Sequence, residues 1–313
     1  MSSPILLTPK KNLEPKLYDI MHPLLCVDQL QIEFQNAQRE SQTVVNNLSF
    51  KISAGETLAV VGESGSGKSV TALSLTRLLP SFPQCQIKGK IYFQNQNLLD
   101  LPQRSLRKIR GKHIAYVFQE PSTSLNPVFT VGFQIAESIK QHFPEEREVK
   151  KRVITALGDV GIPNPEQRYQ SYPHQLSGGM QQRVMIAMAL VCQPALLIAD
   201  EPTTALDVTI QKQIIDLLKS VQSHYHMAIM LITHNFGIVK NFAHNVQVMY
   251  RGRIVESGET ESVLQHPQHP YTRALIDCIP KLGKRKRRLT TIDHQLINQA
   301  NEGFTSKLSK DSP

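Results

Sequence analysis

A chain of 313 residues with 40% hydrophobic side chains is long enough to bury a complete core, as one large domain or a domain with a subdomain. It has no apolar run of about 18 residues, and its proline-interrupted first stretch lacks a signal-peptide core, so membrane-spanning and secreted classes are set aside for a cytosolic one. The net charge of +9 suggests nucleic acid only until it is localised: residues 281–313 hold eight Lys and Arg against three Asp and Glu, leaving the rest mildly basic.

Residues 1–23 are polar and proline-containing and read as a flexible arm. Two β-patterned stretches follow, 24–34 and 44–52, a hairpin-like pair around a polar loop. Phe34 stands at the strand end where an aromatic ring can lie on adenine, and a core phenylalanine fits the same pattern.

The apolar run 58–61 leads into Gly62-Glu63-Ser64-Gly65-Ser66-Gly67-Lys68-Ser69, followed by a helical stripe that begins at Val70 and continues through Leu73, Leu75, Leu78 and Leu79. Glycines at this spacing let consecutive backbone N–H groups converge on one anion. Lys68 adds a point charge for the β- and γ-phosphates, and Ser69 a hydroxyl for Mg²⁺. Strand, loop and helix together make a complete phosphate-binding loop, with Gly62 through Val70 as its nucleotide contacts.

After a turn at 80–83, strands are predicted at 87–93 and 113–118. The second ends beside Gln119, an amide placed to ligate Mg²⁺ or hold water. A helical insertion occupies 121–172, with amphipathic stretches at 131–139 and 149–160. Leu176-Ser177-Gly178-Gly179 then opens an apolar helix; Ser177, Gly178 and Gly179 are either a helix cap or, given the loop upstream, a second phosphate contact.

The run 195–199 reads as a buried parallel strand ending in Asp200 and Glu201, which alternation sends to different sides, one toward Mg²⁺ and one toward the attacking water. A turn at 204–207, a helix at 208–223 and a strand at 227–233 capped by His234 follow, then strands at 246–250 and 253–256 and a short helix at 259–264. His266-Pro-Gln-His-Pro-Tyr-Thr-Arg-Ala-Leu opens a helix predicted to reach 279, and the basic run 281–288 begins the tail. The cysteines Cys26, Cys85, Cys192 and Cys278 lie far apart without metal-ligand spacing, as in a reducing compartment.

In this order, 62–69, Gln119, 176–182, 195–201, 204–207 and His234 resemble the motif set of ATP-binding cassette ATPases over residues 24–280. The resemblance implies an α/β fold: a P-loop NTPase core with an antiparallel β subdomain and an inserted α-helical subdomain at about 121–190. The ATPase domain spans 24–265, with an extension at 266–280 and a tail at 281–313. It also implies ATP and Mg²⁺, with Glu201 as general base, His234 on the γ-phosphate, Ser69, Gln119 and Asp200 around the metal, and Phe34 under adenine.

The phrases VFQEP, SLNPVFTVG, YPHQLSGGM, RVMIAMAL and HPQHPYTRAL resemble the peptide and nickel uptake branch. That implies an ATPase at the cytoplasmic face of the inner membrane, energising import of di- or oligopeptides or a related solute such as nickel or glutathione. Its implied partners are two transmembrane permease subunits, a second ATPase (a heterodimer before a homodimer), and indirectly an extracytoplasmic solute-binding protein. No nucleic acid is expected, since the nucleic-acid ATPases of the family usually carry coiled-coil or zinc insertions or a second cassette. Two departures stand out: Met180, where the signature more generally has Gln, and the lack of clustered cysteines after 279, which counts against an iron–sulfur cluster.

Overall fold

The computed structural model describes residues 23–278, apart from 37, 39, 82 and 205. The predicted arm and basic tail lie outside the described residues.

Leu25–Gln35 and Ser41–Ile52 form β1 and β2, an antiparallel pair whose second strand starts three residues before the sequence pattern suggests. Thr57–Val61 is β3, with all five residues buried, as expected of a strand covered on both faces. The helix after the loop, α1 (Lys68–Ser74), stops short of the predicted stripe. Arg77 takes a left-handed conformation (φ 54°), and its guanidinium donates to the carbonyls of Leu99 (3.3 Å) and Leu101 (2.6 Å). These contacts turn the chain out of the helix and leave Leu78 exposed.

Cys85–Phe93 (β4) and Gln96–Asn97 (β5) follow, then α2 (Gln103–Ile109), unforeseen because only Leu106 and Ile109 of its short span are buried. After β6 (Ile114–Val117) comes the helical layer: α3 (Pro121–Ser124), α4 (Val131–His142), α5 (Val149–Asp159), α6 (Pro165–Arg168) and α7 (Gly178–Leu190). The chain then alternates through β7 (Leu196–Asp200), α8 (Val208–Tyr225), β8 (Ala228–Thr233), α9 (Phe236–Phe242) and β9 (Asn245–Tyr250). It closes with β10 (Arg253–Glu259), α10 (Thr260–Gln265) and α11 (Pro270–Asp277).

The strands form two sheets, one ordered β2-β1-β4-β5 and antiparallel, the other β10-β9-β3-β8-β7-β6, parallel except at β10. Side chains alternate across the large sheet. Leu197 and Ala199 of β7 face a core shared with α4, α5, α7 and α8, whereas Leu196 and Ile198 face the antiparallel sheet and α1. A third core packs Ala59, Val61, Val246 and Val248 against α9, α10 and α11.

The register aligns the strand ends. Val61 pairs with Thr233, Ile232 with Asp200, and Ala199 with Val117. The residues that follow β3, β8, β7 and β6 therefore emerge side by side at one carboxyl edge, where open α/β sheets bind ligands.

Candidate nucleotide site

The phosphate loop springs from β3. Gly62 has φ 154°, and a Cβ there would stand 2.3 Å from the Met249 carbonyl oxygen, so no side chain fits where the loop leaves the sheet. Gly65 (φ 79°) has open space where its Cβ would be, on the exposed side of the loop. From behind, the loop is held by the Gly252 N–H, which donates to the Ser66 carbonyl at 2.9 Å.

Lys68, the first residue of α1, is buried and donates to the carbonyls of Gly62 and Glu63, both at 2.8 Å. Burial pulls its ammonium below the ordinary lysine value, opposed by the carboxylates of Glu201, Asp200 and Glu63. Those acids keep a cation in place at the floor of the loop. Ser69 is exposed, and its hydroxyl bonds to the Asp200 carboxylate; Val70 packs half-buried on the second core.

Asp200 and Glu201 diverge as the alternation predicts. Burial raises the Asp200 carboxyl above its ordinary value, resisted by the Ser69 hydroxyl, and its Oδ1 is buried without a hydrogen-bond partner. A buried anionic oxygen of this kind beside a serine hydroxyl fits a hard divalent cation. Glu201 has a left-handed backbone (φ 47°) and a well-partnered side chain. Its Oε2 accepts from Thr204 Oγ1 at 2.7 Å and Gln119 Nε2 at 3.4 Å, and its Oε1 lies 3.2 Å from His234 Nδ1. Burial works to raise this carboxyl, but the hydrogen bonds from Thr204 and His234, with the nearby His234 and Lys68 charges, outweigh it and hold it below its ordinary value. Two adjacent carboxyls pushed in opposite directions can hold different roles.

The structure thus brings Lys68, Ser69, Gln119, Asp200, Glu201 and His234 together. Gln119 lies two residues past the end of β6 rather than on the strand. Phe34 is half-buried against the second core, its backbone paired with Gln42 and Cys85. Ser177, Gly178 and Gly179 open α7 instead, where Ser177 Oγ accepts from the Met180 N–H at 3.4 Å and Gly179 sits against Ile210 at the start of α8.

Two contributors escaped the sequence reading. The Thr204 hydroxyl on Glu201 was legible only as part of a turn. Tyr271, which lines a cavity of about 730 Å³ with Glu63, Ser64, Gly65 and His234, comes from the far end of the chain.

A family model described as ABC transporter matches residues 45–204, and one described as Oligopeptide/dipeptide transporter, C-terminal region, matches 255–303. Dipeptide transport ATP-binding protein DppD of Escherichia coli K12 is 46% identical over 270 residues, covering 86% of this chain and 82% of that protein. Glutathione import ATP-binding protein GsiA of Escherichia coli O1:K1 is 52% identical over 272 residues, covering 84% of this chain and 43% of GsiA, so the chain spans under half of that relative. Among solved structures, the ATP-binding cassette MJ0796, a dimer bound to ADP and Pi, superposes with a TM-score of 0.67 at 26% identity, covering 75% of this chain and 98% of that one. CbiO1 from Clostridium perfringens, part of the transporter complex cbiONQ, gives 0.66 at 30% identity over 78% of this chain and 91% of that one.

Proposed function

We propose, from the premise that this chain belongs to the ABC transporter family, that it is the ATP-hydrolysing subunit of an importer of di- or oligopeptides or a related small solute such as glutathione or nickel. The observation that carries the hydrolytic part is the convergence of Thr204, Gln119 and His234 on the single carboxylate of Glu201 beside the phosphate loop.

Glu201, held ionised, takes a proton from water as the water oxygen bonds to the γ-phosphorus. The bond to the β–γ bridging oxygen breaks, and ADP and phosphate leave. Thr204 fixes the carboxylate, Gln119 and His234 orient water and γ-phosphate, and Lys68 with the loop N–H groups binds the β- and γ-phosphates. Ser69, Asp200 and Gln119 would hold Mg²⁺, which neutralises charge on the β- and γ-oxygens when bound. Phe34 is proposed to carry adenine, from its place at the end of β1.

No helix among the described residues is long and apolar enough to cross a membrane. In this reading the chain sits at the cytoplasmic face of the inner membrane, and passage of solute falls to two transmembrane permease subunits, with an extracytoplasmic binding protein upstream. The segment 122–139 supplies the docking surface. Val128 is 70% exposed, and the Phe129 and Phe133 rings stack with centroids 4.7 Å apart while both face solvent. Gln119 lies just before this segment, a short route from γ-phosphate to permease.

The test is a pair of variants. Lys68→Ala is expected to lose ATP binding, and Glu201→Gln to retain ATP while turnover falls by about two orders of magnitude or more. Hydrolysis by Glu201→Gln at the parental rate would remove Glu201 from the role of base.

A further inference from the structure

The stretch His266-Pro-Gln-His-Pro-Tyr-Thr-Arg-Ala-Leu has no part in the hydrolytic constellation, yet the fold delivers it to the phosphate loop. The Glu256 carboxylate on β10 accepts from the backbone N–H groups of Gln268 (2.7 Å) and His269 (3.0 Å). His269 Nδ1 then accepts from the Tyr271 N–H at 3.2 Å and caps α11. These contacts drive the Tyr271 ring fully into the third core, 4.4 Å from the Tyr250 ring centroid and among residues that include Ala59 and Val61 of β3.

The phenol end reaches Glu63. Its oxygen accepts from the Glu63 N–H at 3.0 Å, and its hydroxyl reaches Glu63 Oε2 at 3.4 Å. The Glu63 N–H and the Gly62 carbonyl belong to one peptide unit, and that carbonyl accepts from Lys68 Nζ at 2.8 Å. Tyr271 and Lys68 therefore grip opposite ends of the same peptide plane. The plane hangs from Gly62, a residue with no Cβ to resist rotation. Without the phenol oxygen its N–H end loses that anchor, and the carbonyl that seats the ammonium can swing away. Burial raises the phenol far above its ordinary value, so it stays protonated and keeps its donor.

We propose that Tyr271 is a positioning residue for the β- and γ-phosphates of ATP, acting through the Gly62–Glu63 peptide on Lys68, and that the C-terminal segment is thereby built into the nucleotide site. This rests on the reading of 62–69 as the phosphate loop.

The experiment compares ATP and AMP, which share base, ribose and α-phosphate, because only ATP reaches Lys68. Affinities are measured by displacement of a fluorescent nucleotide from the parent, Tyr271→Phe and Lys68→Ala. Tyr271→Phe is expected to weaken ATP about fivefold, the scale of one lost hydrogen bond, and to leave AMP unchanged. A merely structural role would weaken both nucleotides equally, and that result, like unchanged ATP affinity, overturns the proposal. Parental ATP affinity in Lys68→Ala would overturn the phosphate-loop reading and this inference with it. Loss in Lys68→Ala with none in Tyr271→Phe overturns this inference alone. Should Tyr271→Phe fail to fold, Glu256→Gln, which loosens the anchor of α11 outside the site, is expected to show the same ATP-selective loss, and equal effects on ATP and AMP would again refute it.

Discussion

Asp200 and Glu201 are neighbours in the chain and opposites in environment, and the difference sets what each can do. Burial holds the Asp200 carboxyl above its ordinary value despite the Ser69 hydroxyl. Between the unfolded and the raised folded value, the folded protein binds more protons than the unfolded chain. Stability therefore falls as pH rises through that window, and the whole penalty is present above it. Asp200→Asn removes the charge, so in the absence of nucleotide its melting temperature at neutral pH should exceed the parent's, and the advantage should shrink as pH falls through the same window. Mg²⁺-dependent hydrolysis should drop by about two orders of magnitude. Thermal unfolding across a pH series checks the stability arm, and a lower melting temperature for the Asn variant at neutral pH would contradict it. Glu201 follows the reverse rule: its lowered value keeps it ionised to lower pH.

Among the elements, α4 shows how the helical layer is held in orientation. Its first N–H groups are satisfied from outside the helix, Val131 donating to the Ser171 carbonyl at 2.9 Å and Gly132 to Tyr169 at 3.0 Å, while Thr130 Oγ1 accepts from Phe133 at 3.2 Å. A Cβ on Gly132 would stand 2.5 Å from the Tyr169 carbonyl oxygen, so Gly132→Ala must push the two segments apart. It is expected to destabilise by about 1–3 kcal/mol, and Thr130→Ala by about 1 kcal/mol. Chemical denaturation reads both, and an unmoved midpoint in Gly132→Ala would mean that the close approach does not matter. On the outer face of the same helix, a cysteine at Phe133 should crosslink to a permease in an ATP-dependent manner; no crosslink in an assembled transporter would exclude this docking face. Elements such as β3, β7, β8 and α4 were legible because unbroken apolar runs and helical periodicity are local signals. The end of α1 was not, because Arg77 and Arg110 stop it through contacts with carbonyls and backbone far along the chain. For the same reason the loop motifs pointed to Lys68 and Glu201 while Tyr271, 208 positions from Glu63, stayed hidden.

At the scale of the whole molecule, the two features proposed to bind phosphate are built on different elements of the chain. The loop 62–69 gathers Asp200, Glu201 and His234, whereas Ser177, Gly178 and Gly179 open the 13-residue helix α7 beside the start of α8. A helix start carries about half a positive charge and unsatisfied N–H groups, enough to hold a γ-phosphate and to lose that grip when the phosphate leaves. In a head-to-tail pair, this turn would close over the nucleotide on the opposite subunit, making closure dependent on ATP. Met180, packed against the first core, cannot donate the side-chain hydrogen bonds of a Gln. The isolated chain should therefore hydrolyse ATP slowly, and a related ATPase with permeases should accelerate it. Ser177→Arg leaves this chain's own phosphate loop intact but, in such a pair, would place a bulky side chain over the partner's nucleotide. In a mixed complex where only the partner's phosphate loop is functional, hydrolysis should fall by about tenfold or more with Ser177→Arg in this chain; an undiminished rate there would eliminate the shared site.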